Sequence, residues 1–181
     1  MRTTSNTTAR HQVLASGSLF PGGSEPAGNQ PGNAPQDVGI DRGRKIVALL
    51  VEDNRPDVLM VEEAIEMQGL SIELHVLDDG EKACDFFDRI DNHPEVVKPE
   101  VLLLDLNLPK RTGKDVLACL RRSHACRHIP VLIITSSDAA QEREELRKLG
   151  IAGYFRKPAS YDEFMKIGLV LQRVLDEYKL Q

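Results

Sequence analysis

Lys45-Ile-Val-Ala-Leu-Leu-Val-Glu-Asp-Asn54 and Val101-Leu-Leu-Leu-Asp-Leu-Asn-Leu-Pro109 decide the fold. Each is a short apolar run that stops abruptly at carboxylates. Apolar residues at every position, rather than at every second one, mark a strand covered on both faces, as in the middle of a parallel sheet. Val131-Leu-Ile-Ile-Thr-Ser136 repeats the pattern. Residues 72–77 alternate instead, with Ile72, Leu74 and Val76 in phase, as a half-covered edge strand does. Residues 152–155 form a brief fifth run.

The stretches between these runs read as helices. Pro56 suits the first turn of one that runs to about Gly69. Residues 80–90 put Ala83, Phe86, Phe87 and Ile90 on one face, and 113–122 do the same with Val116, Leu117 and Leu120. Ser137 is placed to cap a helix that Gly150 ends. Ser160 and Glu163 have the capping-box spacing, ahead of Phe164, Ile167, Leu171, Val174 and Tyr178. Five strands alternating with five helices predict an α/β, doubly wound parallel sheet with helices on both faces, spanning residues 45–181.

Composition bounds the rest. The chain has 181 residues, 41% hydrophobic and 28% charged, enough for one domain with some surplus. The surplus is residues 1–44, where Gly, Pro, Ser, Thr and Asn fill 22 of 44 positions and the apolar residues show no period. That stretch is expected to be a disordered extension, because it cannot bury enough surface to offset chain entropy. A net charge of −5 and an aromatic content of 4% argue against nucleic-acid binding. No apolar run approaches the roughly 18 residues of a membrane helix. Three cysteines, an odd count without a CxxC pair, predict no disulfide framework and a reducing, cytoplasmic location.

Open parallel sheets bind ligands beyond the carboxyl ends of their strands. The first run ends at Glu52 and Asp53, the third at Asp105 and the fourth at Thr135 and Ser136; Lys157 and Pro158 follow the fifth. Three acids, a hydroxyl and an amine should therefore meet on one rim. Two carboxylates about 4 Å apart at an effective dielectric near 20 repel by about 4 kcal/mol, so such a set takes up a proton or a cation. Oxygen donors favour a hard divalent ion such as Mg2+. Ion, amine and hydroxyl together suit a phosphoryl group, and one carboxylate could serve as nucleophile.

These residues resemble a known family, the receiver domain of two-component response regulators. The matching stretches are Leu50-Val-Glu-Asp-Asn54, Leu102-Leu-Leu-Asp-Leu-Asn-Leu-Pro109 with Gly113, Val131-Leu-Ile-Ile-Thr-Ser136 and Gly153-Tyr-Phe-Arg-Lys-Pro158. The resemblance covers about residues 45–178 and implies a flavodoxin-like (βα)5 fold of strand order 2-1-3-4-5. It implies that Asp105 accepts a phosphoryl group from a histidine kinase or a phosphotransfer protein. Asp53, Asp105 and the Asn107 carbonyl would bind Mg2+, with Glu52 acting through a metal-bound water. Lys157 would pair with Asp105 and then with the phosphoryl group, and its peptide bond to Pro158 would be cis. Thr135 and Tyr154 would form the switch, and the small Ser136 would leave room for the phosphate. Thr112 departs from the family, many members of which have Asp there. Lys110-Arg111 and the long 91–99 connection resemble the stand-alone regulators that accompany bacterial phytochrome kinases.

Only Leu180 and Gln181 follow the last helix, so output is expected from a surface: the fourth helix, fifth strand and fifth helix. Met165, Leu169 and Val170 on the last helix point to a homodimer through that face. Cys119, His124, Cys126 and His128 lie within ten residues, but their spacing is not that of a zinc finger, and a core cysteine beside a surface loop is the expectation. His75 and His93 show no partner in the sequence. A haloacid-dehalogenase-type phosphohydrolase would need an acid where Asn107 stands, and a flavodoxin-type cofactor binder a Ser/Thr/Gly-rich loop where Glu52-Asp-Asn54 stands. The chain is thus read as no enzyme beyond its own phosphorylation and dephosphorylation.

Overall fold

Strand-forming runs and amphipathic helices alternate along the chain as their periodicities dictate. The structure, a computed structural model, describes residues 12–13, 44–137 and 139–179. The strands are β1 (Gln12–Val13), β2 (Ile46–Val51), β3 (Ile72–Leu77), β4 (Val101–Asp105), β5 (Val131–Thr135) and β6 (Gly153–Arg156). The helices are α1 (Arg55–Met67), α2 (Gly80–Asn92), α3 (Gly113–Arg122), α4 (Ala140–Lys148), α5 (Tyr161–Phe164) and α6 (Ile167–Lys179). The order across the sheet is β1-β3-β2-β4-β5-β6, with every pair parallel. The five strands expected from the sequence therefore lie in the order 2-1-3-4-5. Gln12–Val13 adds a short strand beside His75 and Val76. Otherwise the expectation of disorder over 1–44 falls, short of Arg44, outside the described residues.

Register sets the functional edge. Val51 pairs with Leu104, Asp105 with Ile134 and Thr135 with Arg156, so these strands end together. β4 and β5 are buried at every residue, which explains their continuous apolar pattern. One core layer packs Phe86, Phe87, Ile90, Leu117 and Leu120 against Leu102, Leu104 and Ile133. The other packs Val58, Val61, Phe164 and Leu171 against Leu50, Leu103 and Ile134. No helix among the described residues is long and apolar enough to cross a membrane.

Several local expectations change. Ser160 precedes α5 without bonding it through its side chain, and Glu163, the other half of the expected capping box, pairs with Lys166 at 2.5 Å instead. The capping box forms instead at Thr112 and Asp115, so the residue that departs from the family starts α3. The last helix is not continuous: Lys166 and Gly168 bond back to Glu163 and Met165, three residues away, which tightens the turn between α5 and α6. Gly150 ends the α4 segment at φ 71°, a conformation that costs glycine little. Asp91 lies inside α2, so the long connection begins after Asn92. Its carboxylate accepts hydrogen bonds from Ser123 Oγ, His124 N and Ala125 N, and holds the loop that carries the Cys-His constellation. His75 is buried, with Nε2 3.2 Å from Glu73.

The cysteines overturn the expectation of no disulfide. Cys84 of α2 and Cys119 of α3 are bonded, with Cα atoms 5.5 Å apart, and buried Cys126 is free. Two helices packed face to face bring together residues 35 apart in sequence, which residue spacing alone cannot reveal. Closing a loop of that length restricts the unfolded chain by about 4 kcal/mol. Urea unfolding should therefore show the oxidised protein more stable than the reduced one by about that amount. Cys84→Ala should lose the same stability and become insensitive to reductant. Identical curves with and without reductant in the native chain would contradict this.

Candidate functional site

The acid rim is built from strand ends. β2 passes directly into Glu52, which is 1% exposed, while Asp53 beside it is exposed. Glu52 Oε1 accepts from Asn54 N at 3.1 Å. Asp105, the last residue of β4, is 4% exposed, and its Oδ1 accepts from Asn107 N at 3.0 Å. Gly113 lets the chain close in behind it, since a Cβ there would stand 2.3 Å from the Asp105 carbonyl oxygen.

Lys157 crosses the rim from the far side. Its backbone N–H donates to the Thr135 carbonyl at 2.8 Å, which anchors the residue after β6 to β5. Its Nζ donates to Asp105 Oδ2 at 2.6 Å, Asp57 Oδ2 at 2.7 Å and Glu52 Oε2 at 2.8 Å. Thr135 is wholly buried, and its Oγ1 accepts from Ser137 N at 3.1 Å. The Tyr154 hydroxyl donates to the Ser137 carbonyl at 2.8 Å, and the Arg143 guanidinium lies 5.2 Å from its ring centre. Ser136 is exposed, 3.5 Å from Asn107 Nδ2. Glu52, Asp53, Asp105 and Lys157 thus meet at this rim, with Asn107, Ser136, Thr135 and Tyr154 linked beside it. Asp57 was missed, because an acid in the first turn of a helix, behind Pro56, reads as an ordinary helix start.

Charge crowding governs the chemistry. Oxygens of Glu52, Asp53 and Asp105 lie within 4.8 Å of one another, the one such cation-ready group among the described residues. The cysteine and histidine constellation forms none. Burial pushes the Glu52 carboxyl up to about 7 from 4.5, against the pull of Lys157, and Asp105 adds to the rise. Burial alone disfavours the Lys157 ammonium, but hydrogen bonds to Asp105, Asp57 and Glu52 outweigh it and hold that group above the ordinary lysine range. Three convergent oxygen donors without nitrogen or sulfur fit a hard divalent cation.

A pH dependence follows. The folded chain keeps the Glu52 proton to higher pH than the unfolded chain, so the stability linked to it is complete below about 4.5 and is lost as pH rises through about 7. Unfolding midpoints of the cation-free protein should fall across that window, and the fall should be missing in Glu52→Gln. Equal slopes for both proteins would contradict the assignment.

A family model described as the response regulator receiver domain matches residues 48–167. The response regulator Rcp1 of Synechocystis sp. (strain ATCC 27184 / PCC 6803 / Kazusa) is 31% identical over 121 residues, 67% of this chain and 82% of that protein. A crystal structure of the Mn2+-bound form of response regulator Rcp1 matches with a TM-score of 0.63 at 30% identity, over 70% of this chain and 91% of the other. The phosphorylated cyanobacterial phytochrome response regulator RcpA matches with a TM-score of 0.64 at 26% identity, over 71% and 92%.

Proposed function

This chain belongs to the response regulator receiver family, whose members accept phosphoryl groups from histidine kinases, and from that membership we propose that Asp105 is its acceptor. One observation carries the reading: Asp105 sits 2.6 Å from the Lys157 ammonium, inside a group of carboxylates close enough to share a cation. In the reaction a carboxylate oxygen of Asp105 attacks phosphorus. A P–O bond forms, the P–N bond to the donor histidine breaks, and its electron pair leaves with the imidazole. Asn107 N–H and Lys157 hold the two oxygens of Asp105 and so fix the attacking geometry. Lys157 also offsets charge on the incoming group.

Asp53, Asp105 and the Asn107 carbonyl are the proposed Mg2+ ligands, with Glu52 acting through water. Bound there, the ion supplies charge neutralisation for the phosphoryl oxygens. The donor chemistry and the Mn2+-bound Rcp1 structure support a divalent site. Ser136 leaves the phosphoryl group room.

Thr135 starts the signal. Its hydroxyl turns to a phosphoryl oxygen and releases Ser137 N–H. Ser137 is also gripped through its carbonyl by Tyr154, so the 135–137 turn and Tyr154 move as one switch. The peptide bond from Lys157 to Pro158 is the proposed cis bond. α4 follows readily, since Leu146 is its one buried residue. The α4–β6–α6 face is the proposed output surface and homodimer contact. Exposed Leu149 and Leu169 support that, whereas Met165 and Val170 pack partly into the core. A histidine kinase of the phytochrome kind is the proposed donor, in keeping with RcpA.

The test is incubation of the full chain with acetyl phosphate and Mg2+. One acid-stable, base-labile phosphoryl group per chain is expected, and chelator should prevent it. No labelling, or labelling indifferent to chelator, would overturn the reading.

A further inference from the structure

Lys157 has three N–H donors, and all three are committed to carboxylates: Glu52, Asp57 and Asp105. Two of these acceptors, Glu52 and Asp105, belong to the group that can share a cation. Asp57 does not. It comes from the first turn of α1, on another element, and reaches the ammonium at 2.7 Å with its own side chain 16% exposed.

The division matters once the acid rim is loaded. A divalent cation held by Asp53, Asp105 and the Asn107 carbonyl, with Glu52 reached through water, draws on two of the three anions that now hold the lysine. It also sets a second positive centre close to an ammonium whose side chain is 11% exposed. Like charges at such range repel, and a long lysine side chain with weakened acceptors swings away. Asp57 lies outside the oxygens that can share the cation, so its hold on the ammonium is not drawn upon. We propose that Asp57 is a positioning residue for phosphoryl transfer: a clamp from α1 that keeps Lys157 aimed at Asp105 while the neighbouring carboxylates are occupied. This deepens the reading of Asp105 as acceptor and rests on it.

The role is separable from that of an ordinary helix-start acid, because a clamp acts only through the lysine. Asp57→Asn keeps size and most helix-start character but removes the charge. In the Mg2+-loaded full chain, Lys157 of Asp57→Asn should become about tenfold more reactive toward an amine acylating reagent, read lysine by lysine by mass spectrometry, as its contacts loosen. With acetyl phosphate and Mg2+, phosphorylation of Asp57→Asn should slow by about tenfold, and Asp57→Glu should restore most of the rate. In a Lys157→Ala background the same Asp57→Asn change should alter the rate by less than about twofold, the non-additivity expected of residues acting as one unit.

A similar slowing in both backgrounds would overturn the clamp and leave Asp57 a structural residue of α1. Unchanged Lys157 reactivity in Asp57→Asn would overturn it equally. A native chain that takes up no phosphate on Asp105 is a different failure, since it removes the acceptor reading itself.

Discussion

Asp105→Asn should take up no base-labile phosphate from acetyl phosphate, with labelling down by about a hundredfold or more, because an amide oxygen lacks the charge to attack phosphorus. The fold should survive, and that makes the result interpretable. Asp105 ends β4 at a place where its backbone already pairs with β5, and the Leu102, Leu103 and Leu104 core lies behind it. Removing one negative charge from a group of carboxylates within 4.8 Å relieves repulsion, so the variant should be at least as stable as the native chain without cation. Mass mapping of the phosphate checks it. Undiminished labelling in Asp105→Asn would place the nucleophile at another residue.

Lys157→Ala should strongly destabilise the cation-free chain above neutral pH. Among the described residues the Lys157 ammonium is the one cation hydrogen-bonded to Glu52, Asp57 and Asp105, and its side chain is only 11% exposed. Removing one partner of a buried ion pair leaves uncompensated charge and costs about 3–5 kcal/mol. Here protonation of Glu52 softens the loss at low pH, since burial already holds that carboxyl near 7. The loss should therefore be largest above about pH 8 in chelator and should shrink when millimolar Mg2+ replaces the missing charge. Because the shared oxygens do not include Lys157, cation affinity should hold or rise rather than collapse. Denaturant titrations in chelator and in Mg2+ test both halves, and a stability unchanged by the substitution would contradict the role given to the lysine.

The sheet was legible because its strands carry their burial in their letters. Val101–Asp105 and Val131–Thr135 are buried at every position and apolar almost throughout, and the acids and hydroxyl come where the apolar run stops. The rim residues followed from strand ends, since parallel strands in register end together. What stayed hidden depends on contacts between elements. Asp57 has the ordinary signature of a helix start and gains its meaning only from Lys157, 100 residues away. The Cys84–Cys119 bond depends on how α2 lies on α3. Asp91 looks like the start of a connection until its carboxylate is seen collecting Ser123, His124 and Ala125. The caps near Ser160 and Thr112 were decided by which acid finds which partner, and sequence spacing allowed both.

Calorimetric titration of Mg2+ into the chelator-treated full chain tests most directly whether the crowded carboxylates exist to hold a divalent ion beside Asp105. One ion per chain is expected, with affinity lowered by about tenfold or more in Asp53→Asn and in Asp105→Asn, since each removes a charged oxygen donor. A chain that binds no ion, or binds it equally well in both variants, would contradict that claim.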